Sequence, residues 1–153
     1  MRLWRICRVI HAAAAFSGAG ARLYGGRWNS QGTRVVYTSP SLALAAVETF
    51  VNLEPNLQPD DLVSIEADLP GELATQRLAL ESLPRNWFEC RDESLQIFGE
   101  RWIRGAEAVA LYVPSAAIRG EWNVLLTPAH SGFRKIKTQS PKPFEFDLRM
   151  FHR

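Results

Sequence analysis

Cysteine is scarce in this sequence, with two residues among 153. Cys7 and Cys90 form no CxxC pair and are too few for the disulfide framework of a small secreted protein. Three scattered histidines add no metal-ligand spacing, so we expect no metal site and interpret both thiols as reduced. No window is apolar over the roughly 18 residues of a membrane helix, and no secretory leader pattern follows Met1. We therefore expect a cytoplasmic protein.

Two nucleotide-binding motifs are also missing. The sequence has neither a P-loop nor a GxGxxG fingerprint, and GAGARLYGG lacks both the phosphate-loop lysine and a preceding apolar strand. No GxSxG elbow surrounds Ser115, so it is not interpreted as a nucleophile. The sequence therefore gives no support to a P-loop or dinucleotide-binding motif, or to Ser115 as a nucleophile.

Acidic residues are absent from positions 122–144, although the net charge of the whole chain is only +2. Within that range, segment 134–142 is basic and contains Arg134, Lys135, Lys137 and Lys142. It is either a solvated basic loop or a docking surface for an acidic partner or phosphates. A non-catalytic nucleic-acid binding module would use the same residues. Such modules stack bases on aromatic side chains, but here aromatic residues stand only at the two edges of the segment and none lies within it.

Apolar patterning predicts a mixture of strands and helices. Predicted strands cover residues 3–9, 34–38, 62–69, 108–113 and an alternating stretch at 144–150. Predicted helices run from a Ser39 cap with Pro40 at the first position to about residue 52, over 94–103, and briefly over 74–80. Without a repeat or regular βαβ spacing, we expect one α+β domain over 1–153, with a mainly antiparallel, mixed central sheet and flanking helices.

Glu48 is a carboxylate on an otherwise apolar helix, in LALAAVETFVNL. Burying it unpaired is costly, so it either pairs with an arginine at a rim or lies in a polar cleft where its orientation is controlled. Arg27, in GGRWN, either holds its loop together or clamps a phosphate or carboxylate, with Gly25 and Gly26 allowing close approach. Arg5, within a predicted strand, joins a buried ion pair or the same site as Arg27.

Three further side chains have both a structural and a functional interpretation. Tyr37 either packs in the core or stacks on a flat ring. Ser115 either caps the next turn or contacts a ligand, and His130 is expected to be a turn histidine. For the neighbours of Arg27, we expect Trp28 to pack and Asn29 to shape the turn.

Taken in order, these segments resemble the RES domain family, toxins of bacterial toxin–antitoxin pairs named for an Arg, a Glu and a Ser. The matching segments are GGRWNSQGTRVVYTSPSLALAAVE, LPRNWF, QIFGERWI, ALYVPSAAI, EWNVLLTPAH and FEFDLRMF. One departure is Thr127, where the family often has Asn before the proline of a turn. The resemblance implies a fold similar to ADP-ribosyltransferase toxins.

The resemblance also implies an activity: cleavage of the nicotinamide–ribose bond of NAD+ by hydrolysis or phosphorolysis, with NAD+ as substrate and no cofactor. The implied site is catalytic Glu48, Arg27 and Tyr37, with Arg5 and Ser115 joining Arg27 and Tyr37 in NAD+ binding. The implied partner is a helix-turn-helix antitoxin that covers the NAD+ cleft, so DNA is contacted only through the antitoxin.

Two alternatives remain beside the nucleic-acid module. A mono-ADP-ribosyltransferase that modifies a protein or nucleic acid would use the same site, although Ala46 stands where many such transferases have a second acidic residue. An inert domain would use Arg27 and Glu48 only as an ion pair.

Overall fold

The computed structural model describes residues 1–89 and 93–152. Within them the strands are β1 Arg2–Arg8, β2 Val36–Thr38, β3 Leu62–Asp68, β4 Thr75–Arg77, β5 Ala110–Pro114, β6 Trp122–Leu126, β7 Lys137–Thr138 and β8 Lys142–Phe144. The α-helices are α1 Ala19–Tyr24, α2 Leu42–Phe50 and α3 Glu93–Gly105. Short 3₁₀ turns occupy Val9–Ala14, Leu80–Ser82, Ser131–Lys135 and Leu148–Met150.

The strands form two four-stranded sheets. In the first, β3 lies between β1 and the two short strands β7 and β8, and every pairing is antiparallel. In the second, the order is β2-β6-β5-β4, and only the β4–β5 pairing is parallel among the described strands. This arrangement confirms the α+β class with mainly antiparallel pairing, while the strands divide between two sheets.

The two sheets meet at a backbone bridge between Trp4 of β1 and Ser39, the residue after β2. Trp4 N donates to Ser39 O at 2.8 Å, and Ser39 N donates to Trp4 O at 2.9 Å. We call this junction the seam. It fixes Ser39 through both of its backbone groups.

The second sheet is the middle layer of the molecule, because its apolar residues alternate between two hydrophobic clusters. Val124 and Leu126 face the first sheet, in a cluster that includes Leu3 of β1. Leu125, between them, faces the opposite cluster, which includes Leu95 of α3. This burial on both faces explains the continuous apolar runs of β5 and β6.

Helix α2 packs on the outer face of the first sheet. Ala45 lies in a small cluster with Ile6 and Leu62, and Phe144 packs against it. The helix begins two residues later than predicted: the Ser41 side chain accepts from Leu44 N at 3.1 Å and is the N-cap, because Ser39 is held in the seam.

Two other predicted elements are wrong. Residues 75–77 form β4, an edge strand paired with β5, where a short helix was expected. The final strand β8 ends at Phe144 and is followed by a 3₁₀ turn, so the aromatic alternation through 150 marks a cluster around Phe146. Strand β6 was not predicted as a strand.

Cys7 is a free, half-buried thiol, whereas Cys90 lies outside the described residues. No described helix has the length and apolar composition needed to cross a membrane. The four cations of segment 134–142 are exposed, but the segment includes β7 and the start of β8, so it is not simply a loop.

Candidate active site

A hydrogen-bonded cluster forms around the carboxylate of Glu48. Ser115 Oγ donates to Glu48 Oε1 at 2.6 Å, and Asn123 Nδ2 donates to the same oxygen at 2.6 Å. No described residue donates a hydrogen bond to Oε2. Glu48 is half-buried, and none of the ion pairs between described residues includes it. The carboxylate is therefore held by neutral donors.

Strand pairing brings the two donors together. Asn123 of β6 pairs with Val113 of β5, and Ser115 follows the end of β5 directly. Ser115 N donates to Glu121 O at 2.9 Å, which extends the pairing to Ser115 itself. Ser115 Oγ also accepts from Ile118 N at 3.0 Å, so it caps the next turn and contacts Glu48 at once.

Ser39 extends this cluster to the seam. Its hydroxyl, on a residue that is 4% exposed, donates to Asn123 Oδ1 at 2.7 Å. Neither Ser39 nor Asn123 is predicted as a site residue from the sequence. The available signal was the amide inside the apolar run WNVLL, because asparagine is unfavourable in strands unless its side chain has partners.

Arg27 lies in a different hydrogen-bonded environment. Its Nη1 donates to the carbonyls of Trp87 at 3.1 Å and Phe88 at 3.4 Å. Among the described residues, no hydrogen bond or ion pair joins Arg27 to Glu48. Arg27 thus holds segment 87–88, and the structure offers no support for an Arg27–Glu48 ion pair.

Tyr37 anchors the GGRWN loop through its hydroxyl, which donates to Asn29 Oδ1 at 2.7 Å and accepts from Trp28 N at 3.1 Å. Asn29 is fully buried, and its Nδ2 donates to Ala21 O at 2.9 Å, as well as to other loop carbonyls. Trp28 is 3% exposed and lies in the second cluster. The expectation that Trp28 packs and Asn29 shapes the turn is confirmed.

The electrostatics of Tyr37 agree with this role. Burial raises the pKa of its phenol far above the ordinary range, and the Trp28 N–H and the charge of Arg27 offset only part of that rise. Tyr37 therefore remains a neutral phenol that can donate to Asn29.

Arg5 lies on β1 beside the seam. Its Nη1 donates to Tyr37 O at 2.9 Å, whereas its Nε is buried and has no hydrogen-bond partner among the described residues. Burial lowers the pKa of the guanidinium, and the nearby Cys7 raises it in part. Arginine nevertheless remains protonated in proteins. None of the ion pairs between described residues includes Arg5, so its positive charge is not neutralised by a described carboxylate.

The turn after β6 is structural. His130 Nδ1 accepts from Gly132 N at 2.9 Å, which confirms His130 as a turn histidine. Thr127, the departure from the family pattern, starts this turn: its carbonyl accepts from His130 N at 3.2 Å. No group of three potential metal ligands occurs among the described His, Cys, Asp and Glu residues.

The sequence is similar to that of known bacterial toxins. A model of the RES domain family matches residues 2–148. The chain belongs to the RES domain family. It is 35% identical to the Prs ADP-ribosylating toxin of Sphingobium sp. (strain YBL2), over 98% of this chain and 96% of that protein. It is 33% identical to Toxin Res of Photorhabdus laumondii subsp. laumondii, over 98% of this chain and 97% of that protein.

The RES fold also resembles a solved structure. A chain of the M. tuberculosis MbcT-MbcA toxin-antitoxin complex superposes with a TM-score of 0.67 and covers 94% of this chain and 84% of that one. Sequence identity in that comparison is 16%, so the likeness concerns the fold alone.

Proposed function

We propose that this RES protein is a toxin that cleaves the nicotinamide–ribose bond of NAD+. The observation that supports the proposal most is the carboxylate of Glu48, which receives two short hydrogen bonds on Oε1 and none from described residues on Oε2. A carboxylate held in this way presents a fixed negative charge to a ligand.

The proposed reaction needs that charge. Nicotinamide leaves as a neutral base, so the ribose develops positive charge as the N-glycosidic bond breaks. A carboxylate beside the ring stabilises this oxocarbenium-like state, and its preorganisation avoids reorientation during the reaction. No strong general acid is needed, because nicotinamide carries its positive charge before it leaves.

In the same proposal, cations bind the pyrophosphate. Arg5 is one candidate, because its guanidinium places a desolvated positive charge beside Tyr37. Arg27 is the second candidate: its Nη1 holds segment 87–88, and a guanidinium matches a phosphate in charge and geometry. The hydroxyl of Tyr37 is occupied by its hydrogen bond to Asn29. In this proposal Tyr37 therefore contributes its ring, which would lie beside the nicotinamide.

A protein partner belongs to the proposal as well. The relatives named as toxins match this chain over nearly its whole length, and the similar solved structure is a toxin–antitoxin complex. We propose an antitoxin with a helix-turn-helix domain that covers the surface beside Glu48 and keeps NAD+ out. The exposed basic segment 134–142 is suited to an acidic part of such a partner.

A second candidate function is ADP-ribosylation of a macromolecule. The name of the Sphingobium relative, an ADP-ribosylating toxin, favours it. The two activities share the bond that breaks and differ in the acceptor: water or phosphate in one case, a macromolecular side chain in the other. Ala46, two residues before Glu48, favours the small acceptor.

The decisive experiment is incubation of the purified protein with NAD+, with and without phosphate, followed by identification of the products by mass spectrometry. We expect loss of NAD+ with release of nicotinamide. Free ADP-ribose identifies hydrolysis, and ADP-ribose 1″-phosphate identifies phosphorolysis. If label from NAD+ appears on macromolecules of an added cell extract, and no NAD+ is lost without the extract, the protein is a transferase instead.

Glu48→Gln tests the proposed role of the carboxylate. We expect NAD+ cleavage to fall about 10²–10³-fold, because the isosteric amide keeps the shape but removes the charge. Glu54→Gln is the matched control: it makes the same change on an exposed glutamate just after α2. Cleavage by Glu48→Gln at the wild-type rate would contradict the mechanism.

A further inference from the structure

The Glu48 cluster contains a chain of hydrogen bonds that reaches the seam, and its direction is set by chemistry. Ser39 Oγ contacts Asn123 Oδ1 at 2.7 Å, and Asn123 Nδ2 contacts Glu48 Oε1 at 2.6 Å. An ionised carboxylate only accepts, so the amide atom that faces it must be the NH₂ group. The amide oxygen then faces Ser39, whose hydroxyl must donate.

We propose that Ser39 and Asn123 are positioning residues for Glu48. The chain of hydrogen bonds from Ser39 through Asn123 to Glu48, which we call the relay, directs Oε2 toward the substrate. The inference rests on the proposed function. Ser39 makes no hydrogen bond to Glu48 in this scheme. It acts by preventing the Asn123 amide from rotating, so that the NH₂ group stays on Oε1.

The backbone supports the first step of the relay. The backbone of Ser39 is fixed by two hydrogen bonds with Trp4, of 2.8 and 2.9 Å, which set the point from which its side chain extends. Asn123 lies within β6 and is paired with Val113, so its backbone is equally fixed. Both ends of the Ser39–Asn123 hydrogen bond are therefore preorganised.

The geometry at Glu48 supports the second step. Ser115 and Asn123 both donate to Oε1, at 2.6 Å each, and these distances are typical of charge-assisted hydrogen bonds. Ser115 reaches Oε1 from the end of β5 and Asn123 from β6, so the carboxylate is held from two directions. Two donors on one oxygen orient the carboxylate plane and leave the other oxygen to the ligand.

A neighbouring hydroxyl gives a matched control. Thr38, one residue before Ser39, is 3% exposed and donates through Oγ1 to Val124 O at 2.6 Å. It therefore makes a buried hydrogen bond between the same two chain segments, but to backbone. Ser39→Ala and Thr38→Val each remove one such hydroxyl, and only the first removes a link to Glu48.

The kinetic test compares these two variants with NAD+ as substrate. We expect Ser39→Ala to lower kcat at least 10-fold with little change in KM, whereas Thr38→Val keeps wild-type kcat at a temperature where both are folded. Asn123→Ala is expected to match or exceed the loss in Ser39→Ala. Equal kcat in Ser39→Ala and wild type, or equal losses in Ser39→Ala and Thr38→Val, would overturn the proposal.

A second measurement does not depend on activity. In ¹⁵N-resolved NMR spectra, the side-chain NH₂ group of Asn123 should give one strongly shifted proton, bonded to the carboxylate. We expect that shift to disappear in Glu48→Gln and in Ser39→Ala and to persist in Thr38→Val. Its persistence in Ser39→Ala contradicts the relay. If the relay is present but wild-type protein does not consume NAD+, the proposed function fails and the positioning role of Ser39 stands.

Discussion

Gly26 shows how closely single residues are fitted together in the GGRWN loop. A Cβ at this position would lie 2.6 Å from Tyr37 Oη and 2.9 Å from Asn29 Oδ1. The glycine therefore leaves room for the Tyr37–Asn29 hydrogen bond. From sequence, Gly25 and Gly26 were expected to admit a ligand to the backbone. In the structure, the group that approaches Gly26 is the Tyr37 hydroxyl.

Gly26→Ala should consequently destabilise the protein. We expect a loss of about 1–3 kcal/mol in the free energy of unfolding, because the added methyl group forces Tyr37 and Asn29 apart in a well-packed region. Urea denaturation measures this difference. Gly20→Ala is the control: nothing lies within 4 Å of a Cβ built there, and Ala favours the helix α1. Equal stabilities of the two variants would contradict this account of the loop.

At the scale of elements, the GGRWN loop packs against helix α3. Gly99 faces the loop so closely that a Cβ would overlap the carbonyl oxygen of Trp28. One residue later, Glu100 Oε1 accepts from Ser30 N at 3.0 Å and from Ser30 Oγ at 2.7 Å, while Oε2 accepts from Thr33 Oγ1 at 3.2 Å. The carboxylate thus joins α3 to the loop that carries Arg27.

Glu100 should make part of the stability depend on pH. Partial burial raises the pKa of this carboxyl, but the hydrogen bonds from Ser30 and Thr33 and the charge of Arg104 outweigh it, so the net pKa is lowered. A carboxyl with a lowered pKa in the folded state stabilises it above the pKa of the unfolded chain, and that contribution disappears as the pH falls through the folded value. Acidification therefore weakens the attachment of the loop to α3.

Glu100→Gln tests this dependence. We expect the variant to be less stable than wild type by about 1 kcal/mol at pH 7, because charge-assisted hydrogen bonds become neutral. The difference should shrink when urea denaturation is repeated below the ordinary glutamate pKa of 4.5. Exposed Glu72→Gln serves as the control and should show no such trend. A difference that is constant with pH would show that the charge of Glu100 does not contribute.

Elements with a local signal were predictable from the sequence. Strand β3 and helix α3 have clear apolar periodicity, and both were found with small shifts of their ends. The pattern around residues 75–77 is too short to show a period, and pairing with β5 decides that it is a strand. Tertiary contacts overrode local preference there.

Site residues follow the same rule. Glu48 was singled out as a carboxylate on an apolar helix, whereas Ser115 was expected to cap a turn and entered the site through the resemblance to RES domains. Their contact with Asn123 depends on the β5–β6 register, which no local pattern specifies. Tyr37 and Arg27 were also singled out, but the hydrogen bonds from Tyr37 to the loop and from Arg27 to segment 87–88 are long-range contacts that the sequence does not encode locally.

At the scale of the whole molecule, α2 is held from both ends. Its N-terminus follows the seam, and its C-terminus is covered by an aromatic cluster formed by the end of the chain. Phe146 is central to the cluster, with ring centroids 5.6 Å from Phe50, 5.0 Å from Phe144 and 5.9 Å from Phe151. Glu48 lies two residues before Phe50, so the chain terminus supports the helix turn that carries the carboxylate.

Phe146→Ala should therefore destabilise the whole molecule. We expect a loss of about 2–3 kcal/mol in the free energy of unfolding, below the roughly 3–5 kcal/mol of a fully buried phenylalanine because Phe146 is only half-buried. Three edge-to-face contacts are lost at once, and Phe50 at the end of α2 loses one of its aromatic neighbours. Leu148→Ala, two residues later and 57% exposed, is the matched control and should change stability by less than about 0.5 kcal/mol. Chemical denaturation of both variants measures the difference. Similar stabilities would mean that the terminal segment does not support α2.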